Sequence, residues 1–385
     1  MNVPKLRFKE FNDTWKKIQL SSFVNINPQN DSLPEKFIYI DLESVNNGLL
    51  TSRKIINRSE APSRAKRTII KNDILYQTVR PYQMNNLFIN SLDSDYPYIA
   101  STGYALLRTK ENPYFVYSIL HQKSFVNKVL DMCTGTSYPA INATDLGKIS
   151  VGLPSIKEQE KISRTLELLD KKIELQTKKI EDLKLFKLYM ENQFIFKDDA
   201  SYIEYKLRDI LIEGNKTPVA DTSKYQKLTI KLNLKGLEFN ESQKEMSDKR
   251  PFYVRDENEL IIGKQNYFNG SIAIVNKKYA GGICSNAIMS FKAKDGFDIK
   301  YIYLYLSQKS YMKQREFLAN GTGQKELSEK EFLNFSIRIP TDNKVKKIIK
   351  NVNCISKKIL LEENKLNKLI ELKKGLMQNM FNKSF

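Results

Sequence analysis

Residues 155–196 carry the clearest structural signal in the chain and read SIKEQEKISRTLELLDKKIELQTKKIEDLKLFKLYMENQFIF. The stretch has no proline or glycine and is much longer than a globular helix of about 11 to 12 residues. Its inward positions alternate between steps of four and three residues, the spacing of a coiled-coil seam. Its apolar seam positions are Ile162, Leu166, Leu169, Ile173, Ile180 and Leu183. The stretch therefore predicts one long helix, opened by a capping box of Ser155 and Glu158, that packs lengthwise on another helix.

The same pattern returns in residues 341–381, where Ile348 lies 186 residues after Ile162. The polar interruptions of the seam return at this offset as well, because Gln176 corresponds to Glu362 and Lys187 to Lys373. The apolar positions of the second seam are Ile348, Val352, Ile355, Ile359, Leu366 and Leu369. Two helices with one shared seam pattern are predicted to be each other's partner.

The remainder of the chain repeats with the same offset. Gln-Lys-Ser occurs at 122–124 and again at 308–310, and the strand pattern before Pro154 recurs before Pro340. We therefore expect an α+β protein with two domains of one mixed α/β fold. Two long helices, packed as an antiparallel coiled coil, separate these domains in a pseudo-two-fold internal repeat. The predicted limits are 1–153 for the first domain, 154–197 for the first helix, 198–339 for the second domain and 340–385 for the second helix.

The composition indicates a polyanionic partner. The 385 residues include 63 Lys and Arg against 44 Asp and Glu, so the net charge is +19 and the pI is near 9.5. Such an excess points first to nucleic acid and second to an anionic membrane surface. No run of about 18 apolar residues is present, so we expect a soluble, cytoplasmic protein without a membrane partner.

The sequence offers little material for catalysis. The three cysteines are far apart, and His121 is the only histidine, which disfavours a zinc site or a catalytic triad. Neither a Walker phosphate loop nor a Gly-x-Gly turn for S-adenosylmethionine is present. Asn112-Pro113-Tyr114-Phe115 has a superficial likeness to an adenine methyltransferase motif, but it fits a helix-start turn better. We therefore expect no catalytic residue, no metal and no cofactor.

The loops differ between the halves and hold the candidate DNA contacts. The basic segment 53–71 surrounds the irregular Ala61-Pro62-Ser63, and more donors follow the predicted strand 73–79. Residue type does not separate a phosphate contact from a base contact. The first-half candidates are Arg53, Lys54, Arg58, Arg64, Lys66, Arg67, Arg80, Tyr82, Gln83, Ser137 and Tyr138. The second-half candidates are Lys244, Lys249, Arg250, Lys264, Gln265, Asn266, Tyr267 and Gln324.

Together these features resemble the specificity (S) subunit of type I restriction–modification systems. The resemblance covers nearly the whole chain and rests on the order of elements more than on any one motif. Its features are the entry segment with Trp15, the DIL strand at 73–75, the Gly135-Thr136 loop, the strand before Pro154 and the Glu158-Gln159-x-x-Ile162 helix start. The second helix departs from this pattern, because Lys344-Val345 replaces the Glu-Gln pair.

The resemblance implies a non-catalytic subunit whose two target recognition domains read a bipartite, interrupted target in double-stranded DNA. It also implies two modification subunits, which methylate adenine N6 and dock on the helices, and restriction subunits that complete the nuclease. Two alternatives remain open from the residues alone. One is an enzyme that fuses recognition to cleavage or methylation, and the other is a coiled-coil adaptor or scaffold that does not bind DNA.

Overall fold

The structure is a computed structural model that describes residues 4–29, 32–135, 137–195, 201–240, 250–318, 326–341 and 344–381. Its contacts divide the chain into two compact units. Unit 1 contains residues 1–179 and 362–385, and unit 2 contains residues 180–361. Both divisions fall within long helices, so each unit combines a globular α/β body with one segment of each helix.

Unit 1 contains twelve strands and four helices within the described residues. The strands are β1 (Lys16–Gln19), β2 (Val24–Ile26), β3 (Lys36–Ile40), β4 (Val45–Asn46), β5 (Leu49–Leu50), β6 (Lys54–Asn57), β7 (Ala65–Ile69), β8 (Ile74–Gln77), β9 (Leu87–Phe88), β10 (Tyr98–Ser101), β11 (Tyr104–Thr109) and β12 (Ser150–Leu153). The helices are α1 (Pro113–Leu120), α2 (Lys123–Asp131), α3 (Ala143–Lys148) and the first part of α4 (Ile156–Ile195).

Strand β8 lies at the centre of unit 1. It belongs to an antiparallel sheet with the order β2-β11-β8-β9 and is buried along its whole length. Successive side chains of a strand point to opposite faces. Ile74 and Tyr76 accordingly join the core beneath α1 and α2, whereas Leu75 joins the core beneath a second sheet with the order β6-β3-β10-β7. The residues just after β8 therefore start from a rigid, fully buried base.

Unit 2 repeats this plan with ten strands and five helices among its described residues. The strands are β13 (Tyr202–Lys206), β14 (Leu211–Glu213), β15 (Leu228–Ile230), β16 (Leu237–Phe239), β17 (Phe252–Val254), β18 (Leu260–Gly263), β19 (Ile272–Ile274), β20 (Ile283–Ser285), β21 (Ile288–Ala293) and β22 (Ser336–Pro340). The helices are α5 (Leu207–Ile210), α6 (Ile299–Leu306), α7 (Lys309–Arg315), α8 (Glu329–Leu333) and the first part of α9 (Lys344–Met380).

Strand β18 is the counterpart of β8. Its antiparallel sheet has the order β14-β21-β18-β19. Leu260 and Ile262 face the core under the helices, and Ile261 faces the core under the outer strands. The predicted α+β class, with two domains of one mixed fold and two long helices, is confirmed in each unit.

The long helices run antiparallel within unit 1. Asp170 of α4 forms an ion pair with Lys373 of α9, and the Gln176 amide donates to the Glu362 carboxylate at 2.8 Å. Residue numbers rise along α4 while those of its partners fall along α9. Two of the predicted interruptions, Gln176 and Glu362, therefore bind each other, and Lys373 finds a carboxylate on the facing helix.

The predicted seam residues lie on the covered side of both helices. The buried ones are Ile162, Leu166, Leu169, Ile180, Ile348, Val352 and Ile359. The half-buried ones are Ile173, Leu183, Ile355, Leu366 and Leu369. Among the described helices, none combines the length and the apolar character needed to cross a membrane.

Candidate nucleic-acid interface

The turn that follows β8 forms the centre of the candidate interface in unit 1. The Thr78 amide donates to the Gly103 carbonyl at 3.0 Å, and the Ile141 amide donates to the Thr78 carbonyl at 3.1 Å. The turn is thus fixed on one side by the β10–β11 connection and on the other by the loop that leads to Ile141. Because backbone hydrogen bonds make both attachments, the turn can keep its position when its side chains vary.

Arg80 is the most constrained side chain of this turn. Its backbone is left-handed, with φ of 52°, and its amide donates to the Pro139 carbonyl at 2.8 Å. Its guanidinium lies 4.3 Å from the centroid of the Tyr138 ring, a cation–π contact. Tyr138 is 62% exposed and Tyr82 is 50% exposed, and Ser137 is exposed beside them. The structure therefore brings together four predicted residues from two loops.

Buried amides support this turn, and sequence reasoning missed them. The Gln77 side chain is 1% exposed and donates to the Val79 carbonyl and to Gln83 Oε1, both at 2.8 Å. Its oxygen accepts from the Asn85 amide at 3.1 Å, and the side-chain oxygen of Asn86 accepts from the Gln77 amide at 2.8 Å. Gln83, a predicted base contact, is therefore partly committed to holding the turn.

His121 belongs to the same support. Its Nε2 lies 3.3 Å from Asn86 Nδ2, and its Nδ1 lies 2.8 Å from the Tyr117 carbonyl. Burial lowers the pKa of His121, which favours the neutral imidazole. The histidine packs under the turn and is not presented at its surface.

The basic segment of unit 1 is only partly joined to the turn. The Arg64 carbonyl accepts from the Thr102 amide at 2.9 Å, so Arg64 lies next to the connection that also holds Thr78. Lys54 and Lys66 are exposed. Arg53 and Arg58 are exposed and form ion pairs at the surface, with Asp93 at 3.0 Å and Glu35 at 3.6 Å.

Arg67 differs from the other cations of this segment. It is half-buried, its Nε is buried, and no hydrogen-bond partner for that atom lies among the described residues. Burial also lowers its pKa. We therefore place it among the supports of the sheet, with a weaker case for contact with DNA than the exposed cations have.

Unit 2 presents the same kind of turn after β18. The Lys264 amide donates to the Ala287 carbonyl at 3.0 Å, and the Leu327 amide donates to the Lys264 carbonyl at 2.9 Å. Lys264 and Leu327 lie 186 residues after Thr78 and Ile141, so this backbone bond is repeated between the units. The readout turns, defined as residues 78–83 and 264–269, are therefore equivalent.

The unit 2 turn lines an open groove of about 290 Å³ that also contains Arg250. Three more predicted residues line it, namely Lys264, Gln265 and Asn266. Sequence reasoning missed the polar residues that outer strands and their loops add to this groove, which are Lys227, Thr229, Asn240, Ser271 and Ser285. Their contribution depends on long-range strand pairing, which residue type does not reveal. Lys244, Lys249 and Gln324 lie outside the described residues.

The prediction that Tyr267 contacts DNA is wrong for this conformation. Its side chain is fully buried, its hydroxyl donates to the Leu306 carbonyl at 2.8 Å, and its ring lies 5.9 Å from that of Phe332. Burial raises its pKa well above the usual value. The reason lies in the repeat: Tyr267 occupies the place of Pro81, and in both units the first residue of the short 3-10 turn faces the core.

The described residues offer no evident centre for metal or acid–base chemistry. No group of three or more His, Cys, Asp or Glu side chains among them is placed to hold a metal ion. Asn112 caps α1, with its side chain accepting from the Phe115 amide at 2.9 Å, as expected for a helix-start turn.

The whole chain carries a recognisable family pattern. The family model described as "Type I restriction modification DNA specificity domain" matches residues 12–185 and matches again over residues 201–372. Together these matches cover most of the chain and follow its two repeated halves. The chain belongs to this family.

Two curated relatives are similar to this specificity subunit. The type I restriction enzyme HindI specificity subunit of Haemophilus influenzae is 30% identical over 147 residues, which cover 36% of this chain and 31% of the relative's length. The putative type I restriction enzyme MjaX specificity subunit of Methanocaldococcus jannaschii is 24% identical over 300 residues, which cover 71% of this chain and 68% of the relative.

Solved structures share the fold of the specificity subunit. The type I restriction–modification system S subunit from M. genitalium matches with a TM-score of 0.59 at 15% identity, covering 98% of this chain and 99% of that one. A chain from a study of complex assembly in the type I system matches with a TM-score of 0.56 at 18% identity, covering 96% and 97%. At these identities the likeness concerns the fold alone.

As a type I specificity subunit, the chain is a non-catalytic DNA-recognition component. Specificity subunits of this type partner with methyltransferase and restriction subunits and with DNA. The alternatives of a fused enzyme and of an adaptor unrelated to DNA are thereby set aside.

The Glu158-Gln159 pair at the start of α4 has a structural role within unit 1. Glu158 is 1% exposed and accepts from Arg7 Nε at 2.7 Å and from Trp15 Nε1 at 3.3 Å. Gln159 is fully buried and accepts from the Asn112 amide at 3.1 Å. The Glu158 carboxylate is thus committed to Arg7 and Trp15, which corrects the predicted capping box. The pair ties α4 to its own domain and is covered, so it cannot dock a partner.

Proposed function

We propose that this specificity subunit recognises a bipartite, interrupted target in double-stranded DNA, with one half-site read by each domain. In this proposal residues 1–153 and 198–339 are the target recognition domains. Residues 154–197 and 340–385 are the helical spacers between them. A helix of 40 residues, such as α4, is roughly 60 Å long. That length exceeds the roughly 34 Å of one turn of DNA.

The readout turns are the observation that carries this proposal. The two units hold them by equivalent backbone bonds, from Ile141 to Thr78 and from Leu327 to Lys264. The side chains that the turns present differ, however, because residues 78–83 read TVRPYQ and residues 264–269 read KQNYFN. A fixed position with variable side chains is what two readers of different sequences require.

Lysine and arginine contacts with phosphates should supply most of the affinity. With a net charge of +19 the chain can release many counterions on binding. For six to ten phosphate contacts, affinity should fall by about 10³- to 10⁵-fold between 50 and 200 mM salt. Exposed cations such as Arg64 and Lys54 are our candidates for these contacts, together with Arg53, Arg58, Lys66 and, in unit 2, Arg250 and Lys264.

The finer assembly is also proposed: two modification subunits that methylate adenine N6 dock on the long helices, and restriction subunits complete the complex. The support is apolar surface away from the seam. Leu168 and Leu175 of unit 1 are 64% and 56% exposed and lie seven residues apart, on one face of α4. In unit 2 the corresponding surface includes Leu185, Phe186, Tyr189, Leu360 and Leu361, each at least half exposed. Exposed apolar patches of this kind mark interaction sites.

The test is to express this chain with a modification subunit in cells and to map adenine methylation across the genome. The expected result is one interrupted motif that is methylated only when the chain is present. A map with no methylated motif, or with an uninterrupted one, would contradict the two-reader proposal. Cells with the modification subunit alone are the matched control.

A further inference from the structure

Arg80 and Asn266 occupy the same place in the internal repeat. They lie 186 residues apart, and each follows the last residue of the central strand of its unit by three positions. The Gln83 amide donates to the Arg80 carbonyl at 3.0 Å, and the Asn269 amide donates to the Asn266 carbonyl at 3.1 Å. The same backbone bond thus closes both readout turns around this position.

The side chain of Arg80 is held before any DNA arrives. Its left-handed backbone, with φ of 52°, is uncommon for a residue other than glycine, asparagine or aspartate and needs support from its surroundings. The bond from its amide to the Pro139 carbonyl and the stacking of its guanidinium on Tyr138 supply that support. A fixed planar fork loses little conformational freedom when it forms two parallel hydrogen bonds.

The side chain of Asn266 is also oriented, although it is exposed in the groove. Its Oδ1 accepts from Asn269 Nδ2 at 3.2 Å, which sets the direction of the carboxamide. One lone pair of Oδ1 remains available, and so do the N–H groups of Nδ2. The group can therefore accept one hydrogen bond and donate another in the same plane.

We propose that these two equivalent positions are base-reading positions: Arg80 recognises a guanine in one half-site and Asn266 recognises an adenine in the other. Arginine donates two bonds to the O6 and N7 atoms of guanine, and asparagine pairs with the N6 and N7 atoms of adenine. This inference rests on the proposed function, since it assigns chemistry to each half of the bipartite target.

Neighbouring donors are less suited to this task. Gln83 is partly used by Gln77, and the Lys264 ammonium lies 3.7 Å from a Glu329 carboxylate. Arg53 is paired with Asp93 at the surface. Arg80 and Asn266 instead combine accessible donors with a side chain that is already oriented.

The experiment measures binding of the complex with its modification subunit to a panel of duplexes in which each base pair of the target is replaced in turn. For Arg80→Ala, the preference for one G·C pair in one half-site should fall by about 5- to 150-fold. Preference in the other half-site should not change. Asn266→Ala should give the reciprocal result at one A·T pair.

Two further variants separate base reading from other roles. Arg80→Lys keeps the positive charge but lacks the planar fork, so it should lose the G·C preference while the dependence of affinity on salt stays the same. Arg64→Ala removes an exposed cation of the same unit and should weaken all duplexes alike, lowering the salt slope by about one unit. A circular dichroism spectrum and a melting temperature near those of the unaltered chain would establish that each variant is folded.

The inference is overturned if folded Arg80→Ala and Asn266→Ala variants keep every base preference, or if both lose affinity equally for all duplexes. A failure of that kind leaves the interrupted methylation motif of the unaltered chain in place. Failure of the proposed function would instead remove that motif from the unaltered chain, so the two results can be distinguished.

Discussion

The central sheets of the two units are alike, but the outer strands are not. The central order β2-β11-β8-β9 in unit 1 has its counterpart in β14-β21-β18-β19 of unit 2. Around it, unit 1 forms one four-stranded outer sheet, whereas unit 2 has two separate two-stranded sheets, β15-β16 and β17-β20. The repeated part holds the readout turn, and the part that differs forms the surface beside it.

This difference separates what the fold must keep from what recognition can change. The central strand is buried on both faces, so a substitution there removes packing from two cores. The outer strands and the turn side chains have one side open to solvent, where substitutions cost less stability. Two domains of one ancestry can therefore diverge in the bases they read while the position of the turn is retained.

The largest effect expected from this comparison contrasts Tyr267 with Tyr82. Tyr267→Ala removes a fully buried ring and should lower the free energy of unfolding by about 3 to 5 kcal/mol. Tyr82→Ala removes a half-exposed ring at the next position of the equivalent turn and should change stability by less than about 0.5 kcal/mol. Chemical denaturation of both variants measures this. Equal losses would break the distinction between core and reading positions.

The next contrast concerns the starts of the long helices. Glu158→Ala leaves Arg7 without its partner in a mostly buried site and should cost about 3 kcal/mol, the low end for a broken buried pair. Lys344, its counterpart in unit 2, is exposed, so Lys344→Ala should cost less than about 0.5 kcal/mol. Hydrogen exchange read separately for unit 1 and unit 2 peptides would show where protection is lost. Loss confined to unit 2 in the Glu158 variant would refute the assignment.

A smaller effect is expected at the proposed docking surface. Leu175→Glu places a charge on the exposed apolar face of α4 and should weaken binding of the modification subunit by about tenfold, or about 1.4 kcal/mol. Thr177→Glu introduces the same charge on a different face of the same turn and serves as the control. Calorimetry or co-purification compares the two. A matching loss in the control would place the docking surface elsewhere.

The smallest effect is a pH dependence that only unit 1 should show. Hydrogen bonds from Gln176 and Lys179 hold the pKa of Glu362 at about 2, below its usual 4.5. A carboxylate with a lowered pKa stabilises the folded state above its unfolded pKa and loses that contribution as pH falls toward its folded pKa. The stability difference between the unaltered chain and Glu362→Gln should therefore shrink between pH 4.5 and 2. A difference that grew with acid would contradict this pairing.

Periodicity predicted the parts of the structure that depend on local pattern. The seam residues from Ile162 to Leu369 are covered because a 4-3 spacing fixes one helix face whatever lies opposite. The pairing of Arg7 with Glu158 could not be predicted this way, since the partners are 151 residues apart. Tyr267 was misassigned because residue type does not reveal the direction of a side chain in a short turn. Comparison with Pro81 in the repeat was the available signal.

The measurement that bears most directly on two independent readers is a genome-wide adenine methylation map for three chains, the unaltered one, Arg80→Ala and Asn266→Ala, each expressed with the same modification subunit. We predict one interrupted motif for the unaltered chain. Each variant should relax a different half of that motif and leave the other half and the spacing unchanged. A variant that altered both halves together, or two variants that altered the same half, would contradict the account.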